Sequence, residues 1–243
     1  GVSLGQTSKK IKVIVDDDFG MEKDLAAKFG SYVSPWVPVT DPDGGIELLY
    51  LLQNPNIEIV GITTCFGVGN IDIAMGSVKQ ILERTGNTHI PYFAGVESKE
   101  GVGKANDATD FIIKTVMENP GEIEILATAP PSNIATAMML EPELKDNWKM
   151  LHFGSADFLG VLGMKSNVVL SYKMGYQDVN TISDEVSFRH VFYKGGDNMI
   201  IYPNEIMDDS KIIPSQRKEL RASGKNFAKW VRDQCPMGPG PNG

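Results

Sequence analysis

The run Ile11-Lys12-Val13-Ile14-Val15 passes without a spacer into Asp16-Asp17-Asp18-Phe19-Gly20, and this junction constrains the fold more than any other stretch of the chain. Short, apolar and β-branched, the run predicts a strand buried on both faces, the kind that fills the interior of a parallel sheet covered by helices. Three carboxylates then fall where the strand leaves the sheet, the edge on which open α/β sheets carry their sites. Carboxylates this close repel one another unless solvent, protons or a cation intervene. The residues alone therefore leave two readings, a solvated acidic turn and a hard-cation site with oxygen ligands.

A second acidic cluster, Thr40-Asp41-Pro42-Asp43-Gly44-Gly45, opens an apolar stretch of helical length that ends at Asn54-Pro55, and Asp43 near its start suits the helix dipole. Residues 56–64 repeat the buried-strand pattern. The alternation continues with helical spacing over 72–84, a short strand over 90–95, a helix over 107–118 stopped by Asn119-Pro120-Gly121, and a strand over 122–127. A last strand is expected over 199–203 and a helix over 214–234. Strands alternating with helices predict an α/β fold with a doubly wound, mainly parallel sheet and helices on both faces. With 243 residues, 42% of them hydrophobic, one domain spanning 1–243 is expected, carrying an insertion at about 21–40 and a Pro/Gly-rich tail at 235–243.

Composition removes several classes of function. Lys and Arg number 23 against 31 Asp and Glu, for a net charge of −8 and no basic stripe, which argues against nucleic-acid binding. No apolar run reaches the length of a membrane span. Cys65 and Cys235 are far apart and lack ligand spacing, and Cys65, directly after a strand, reads as a buried structural thiol. His89, His152 and His190 show no metal or triad spacing, and no G-x-S-x-G elbow is present. The glycine-rich pieces at 67–70 and 101–104 lack the full phosphate-loop spacing and read as turns. Gly1 to Lys10 carries no initiator Met and no hydrophobic signal core, which leaves cytoplasmic and secreted locations open.

Strand, acidic turn, apolar helix, Asn-Pro and strand together resemble the opening of the inosine-uridine preferring nucleoside hydrolases, whose signature is D-x-D-P-G-x-D-D. Asp16, Asp18 and Gly20 match its first half and Asp43 the first of the closing pair, with the insertion between the halves. Phe19 replaces the Pro and Gly44 stands at the second closing Asp. A second match, Thr128-Ala-Pro-Pro-Ser132-Asn133-Ile-Ala, resembles the family's T-G-P-L-T-N-I-A, with Ser132-Asn133 expected to cap a helix. A third, Asp178-Val-Asn180 followed by Asp184-Glu185, is similar to the family's E-F-N-x-x-x-D-P-E; without the family it reads as a polar helix start.

The resemblance implies hydrolysis of the N-glycosidic bond of ribonucleosides by a calcium-activated water. Asp18 would be base and metal ligand, Asp16 and Asp43 would join it at the ion with the Thr128 carbonyl, and Asp43, Asn167, Asp178 and Asn180 would hold the ribose. With Gly44 unable to coordinate, Asp43, Asp41 or Asp17 would have to take over in a strong site, since calcium takes six to eight oxygens. The family's late acidic segment, often H-D-P, has no counterpart before Gly243. A homo-oligomer or a complementing C-terminal chain is therefore expected as partner, beside a nucleoside or other ribosyl compound. The alternative is a non-catalytic relative that uses the fold for ligand binding or assembly.

Overall fold

The computed structural model describes residues 9–20, 43–155, 178–203, 206 and 214–224. The expected insertion, Asp41, Asn167, Cys235 and the Pro/Gly tail lie outside these residues. Strands β1 (Ile11–Asp17), β2 (Ile57–Thr64), β3 (Tyr92–Ala94), β4 (Ile123–Ala127), β5 (Met150–Gly154) and β6 (Met199–Tyr202) form one sheet of order β3-β2-β1-β4-β5-β6. Every pairing is parallel. The order reverses direction at β1, between β2 and β4, so the carboxyl end of β1 is the switch point at which a doubly wound sheet opens a crevice.

Helices α1 (Asp43–Gln53) and α2 (Ile71–Thr85) cover one face of the sheet. Val13, Val15 and Ile62 pack there against Leu48, Leu49, Val78, Ile81 and Leu82. The other face carries α3 (Asp107–Glu118), α4 (Ser132–Leu140), the single turn α5 (Leu144–Asn147) and α7 (Glu185–Lys194), which follows the short α6 (Val179–Ser183). Ile14, Ile125, Leu151 and Phe153 meet Ile112, Val116, Ile134 and Val191 in that core. Helix α8 (Pro214–Ala222) is the last described element. The β1–β2 register slips between Val13 and Ile14. The slip comes at Gly61, where a Cβ would stand 2.3 Å from the Phe111 ring, so the site of the bulge also needs the smallest residue.

Element types agree with the expectations, and the bounds differ for local reasons. β3 starts after Pro91, which has no N–H for the ladder, although its carbonyl still accepts from Ile62 N at 3.0 Å. α2 runs to Thr85 and closes at Gly86, whose φ of +72° is the left-handed cap that glycine adopts without strain. Ser132 and Asn133 do not cap α4. Pro131 holds the cap position, and both side chains turn away from the helix end to bind carboxylates. Cys65 is a buried free thiol within 3.4 Å of the Pro130 carbonyl. No helix among the described residues is long and apolar enough to cross a membrane.

Candidate active site at the carboxyl edge of β1

The period-two alternation of a strand decides what the acidic triplet does. Val13 and Val15 face α1 and α2, whereas Ile14 faces α3 and α4, so Asp16 and Asp17 leave the sheet on opposite faces. Asp16 points to α4. Its Oδ1 accepts from Asn133 Nδ2 at 2.8 Å and from the hydroxyl of Thr63, its register partner, at 2.6 Å. Asp17 points to α1. Its Oδ2 accepts from Thr128 Oγ1 at 2.8 Å, and the same hydroxyl lies 3.1 Å from Glu47 Oε2. Asp18, just past the strand, is tied to the β2–α2 loop, with its Oδ2 accepting from Val68 N at 2.7 Å.

All three aspartates are buried. Glycines make the room. A Cβ at Gly44 would stand 2.5 Å from Asp17 Oδ2, one at Gly67 would fall on the Asp18 carboxylate, and one at Gly95 would strike the Asn133 amide. Asn133 is itself saturated, since Nδ2 also donates to the Thr64 carbonyl and Oδ1 accepts from Val96 N. One amide thus fixes the Asp16 carboxylate against the ends of β2 and β3.

Burial dominates the electrostatics. Asp16 is pushed up to about 6 by desolvation, against the two hydrogen bonds on Oδ1 and with the Asp18 charge adding to the rise. Asp18 also rises to about 6, through burial opposed by the Val68 amide, and Glu47 to about 7, through burial opposed by the Thr128 hydroxyl and reinforced by the Asp43 charge. Asp17 goes up by burial and then by the charges of Glu47, Asp18 and Asp43. Among the described residues no Lys, Arg or His pairs with any of these groups. The expected solvated acidic turn is thus absent: the triplet is desolvated and lacks a protein counter-charge.

The other expected site residues gather at the same edge. Asp43 is exposed in the first turn of α1 and accepts from Gly44 N at 2.8 Å. The carbonyl of Thr128 accepts from Asn180 Nδ2 at 2.8 Å, so Asn180 meets the carbonyl rather than standing apart as a separate sugar contact. Asp178 caps α6, with Oδ2 accepting from Ser155 Oγ, Thr181 N and Thr181 Oγ1. Asp184 caps α7 and is bonded by Ser132. Glu47 was not singled out in the sequence. Its signal was there, a lone carboxylate one turn after Asp43 within the apolar face of α1.

A cation is the natural complement of such a group. The donors are all oxygens, and Asp16 Oδ2 and Glu47 Oε1 are buried without a partner, which suits a hard ion. No three acidic, His or Cys side chains among the described residues already surround one point.

A parallel sheet with helices on both faces and carboxylates at its switch point defines an α/β protein of the nucleoside hydrolase type. The sequence model of the family described as inosine-uridine preferring nucleoside hydrolase matches residues 39–237, and the chain belongs to that family. Among curated relatives, a probable uridine nucleosidase 2 of Arabidopsis thaliana is 28% identical over 137 residues, 44% of this chain and 42% of the relative. A probable uridine nucleosidase 1 of Oryza sativa subsp. japonica is 25% identical over 225 residues, 81% of this chain and 66% of the relative. The chain therefore spans 42% and 66% of the length of these two proteins. The inosine-uridine preferring nucleoside hydrolase from Bacillus anthracis superposes with a TM-score of 0.68 at 18% identity, covering 94% of this chain and 75% of that structure, which shows the shared fold.

Proposed function

We propose that this chain cleaves the N-glycosidic bond of ribonucleosides, with water attacking C1′ and the base leaving as the C1′–N bond breaks. The observation that carries this reading is the buried, unpaired carboxylate group at the switch point of a nucleoside hydrolase sheet. Asp18 is assigned as the base that takes the proton of the attacking water. A carboxylate raised to about 6 is ionised at neutral pH yet basic enough to share that proton, and the Val68 amide holds its orientation. The remaining negative charge favours the oxocarbenium-like sugar that develops as the base departs. Asp43, Asp178 and Asn180 are assigned to the ribose hydroxyls, with Asn167 as a further candidate.

Calcium, when bound, would lower the pKa of its water ligand and neutralise part of the acidic charge. The oxygens available to hold it are those of Asp16, Asp17, Asp18, Asp43 and Glu47 and the Thr128 carbonyl. The rival reading, a non-catalytic binding protein, is favoured by one observation: Asp178 and Asn180 already have partners within the chain. Release of ribose from uridine and inosine, followed by a reducing-sugar assay with calcium and with EDTA, separates the two. Asp18→Asn should lower any turnover by ~10² to 10⁴ while leaving the fold intact. Full turnover in that variant removes Asp18 from the mechanism, and none in the native protein favours the rival.

A further inference from the structure

Two of the carboxylates at this edge have no role in the assignments made so far. Asp17 and Glu47 approach each other from β1 and α1 with the Thr128 hydroxyl between them, 2.8 Å from Asp17 Oδ2 and 3.1 Å from Glu47 Oε2. A hydroxyl has one proton to donate and can satisfy only one of two ionised carboxylates at a time. The other oxygen of Glu47 is buried without a partner, as is Oδ2 of the fully buried Asp16. Unsatisfied buried carboxylate oxygens are costly, and no basic side chain among the described residues offsets them.

The void that admits Asp17 is made by Gly44. Its missing Cβ would stand 2.5 Å from Asp17 Oδ2 and 2.7 Å from Asp17 Cγ. A carboxylate on β1 and any side chain at position 44 therefore compete for one space. The chain has put the carboxylate on the strand and left the helix bare.

We infer that Asp17 and Glu47, joined by the oxygens of Thr128, are the protein ligands of a divalent cation, with Asp17 standing in for a carboxylate at position 44. Two carboxylates, the Thr128 oxygens and water suit calcium, which accepts mixed oxygen shells, and the pair does not require three acidic groups around one point. The inference rests on the reading of this edge as a metal-dependent hydrolytic site, but it concerns ion binding and is tested by it.

The experiment is calcium titration calorimetry on the full chain, supported by terbium luminescence and by the calcium-induced rise in Tm. The native protein should bind the ion, and Asp17→Asn and Glu47→Gln should each weaken binding by at least ~10-fold and abolish the Tm rise. Each should also raise the Tm in EDTA, because a neutral amide replaces a charge in a repelling group; a purely structural side chain would lower it. Gly44→Asp alone should lower the Tm. Combined with Asp17→Ser it should be relieved and bind calcium within a few-fold of the native protein. That exchange also decides the matter if Glu47→Gln fails to fold. Native affinity in folded Asp17→Asn and Glu47→Gln, or a native protein that binds no calcium, overturns the inference. Ion binding without nucleoside cleavage would sink the proposed activity alone, and cleavage with unchanged ion affinity in both variants would sink the inference alone.

Discussion

Raising the pH should destabilise this protein in a window where most proteins are at their best, provided divalent ions are removed. Asp16 and Asp18 are buried and rise from 3.8 to about 6, so the folded chain holds protons that the unfolded chain has released. Stability then falls as pH rises, because the slope follows the excess of protons bound by the unfolded over the folded state, which is negative here. The contribution is complete below the unfolded value and lost as pH passes the folded one. Glu124 and Glu122, lowered by their Lys and His neighbours, act in the opposite sense only near and below their ordinary value. His190, lowered by partial burial, also opposes the trend but is largely solvated. Between pH 4.5 and 6.5 the two aspartates should each cost about 2 kcal/mol, at 1.36 kcal/mol per pH interval over which the proton is held. Together that is about 4 kcal/mol, or roughly 8 to 16 °C in Tm for a chain of this size. Scanning calorimetry or urea unfolding in EDTA measures it. Asp16→Asn should remove about half the slope, and saturating calcium most of it. A Tm that is flat or rises from pH 4.5 to 6.5 in EDTA would show that these carboxylates are not held protonated by burial and would refute the reasoning.

Gly67→Ala should disable the site, because the new Cβ falls on the Asp18 carboxylate; ribose release should drop at least ~10-fold, and native turnover would contradict the geometry. Asn133→Leu should cost at least ~2 kcal/mol in urea unfolding, since Asp16 Oδ1, the Thr64 carbonyl and Val96 N all lose their shared partner in the interior. Replacing residues 21–40 by a short Gly linker should change nucleoside KM or assembly, because the flanking Gly20 and Asp43 stand beside the carboxylates; unchanged behaviour by kinetics and light scattering would reduce the segment to decoration.

How much of this was legible beforehand depends on the range of the interaction. The parallel sheet was readable because each strand is a short β-branched run and each helix an apolar period closed by a local breaker such as Asn54-Pro55 or Gly86. The acidic edge was readable for the same reason, since Asp16 to Asp18 follow their strand directly. The partners of those carboxylates were not. Ser132 and Asn133 look like a helix cap by local rules, but Asn133 serves Asp16, 117 positions away, and Ser132 serves Asp184, 52 positions away. Local propensity has no access to either, because a polar side chain one residue inside a helix costs little and its buried partner can come from any strand end.

The alternation along β1 offers a finer lesson. Three successive aspartates suggest one common site, yet a strand sends neighbours to opposite faces, so Asp16 and Asp17 are separated by the sheet itself. Asp16 is held rigidly by an amide and a hydroxyl, as befits a group that orients others. Asp17 shares its single hydroxyl with Glu47 and so retains unmet capacity. Gly44 connects this arrangement to the departure from the family pattern, because the residue that removes a carboxylate from α1 also vacates the volume into which Asp17 fits. Loss at one position and gain at the other are therefore a single steric event, and neither change would be tolerated well without its counterpart.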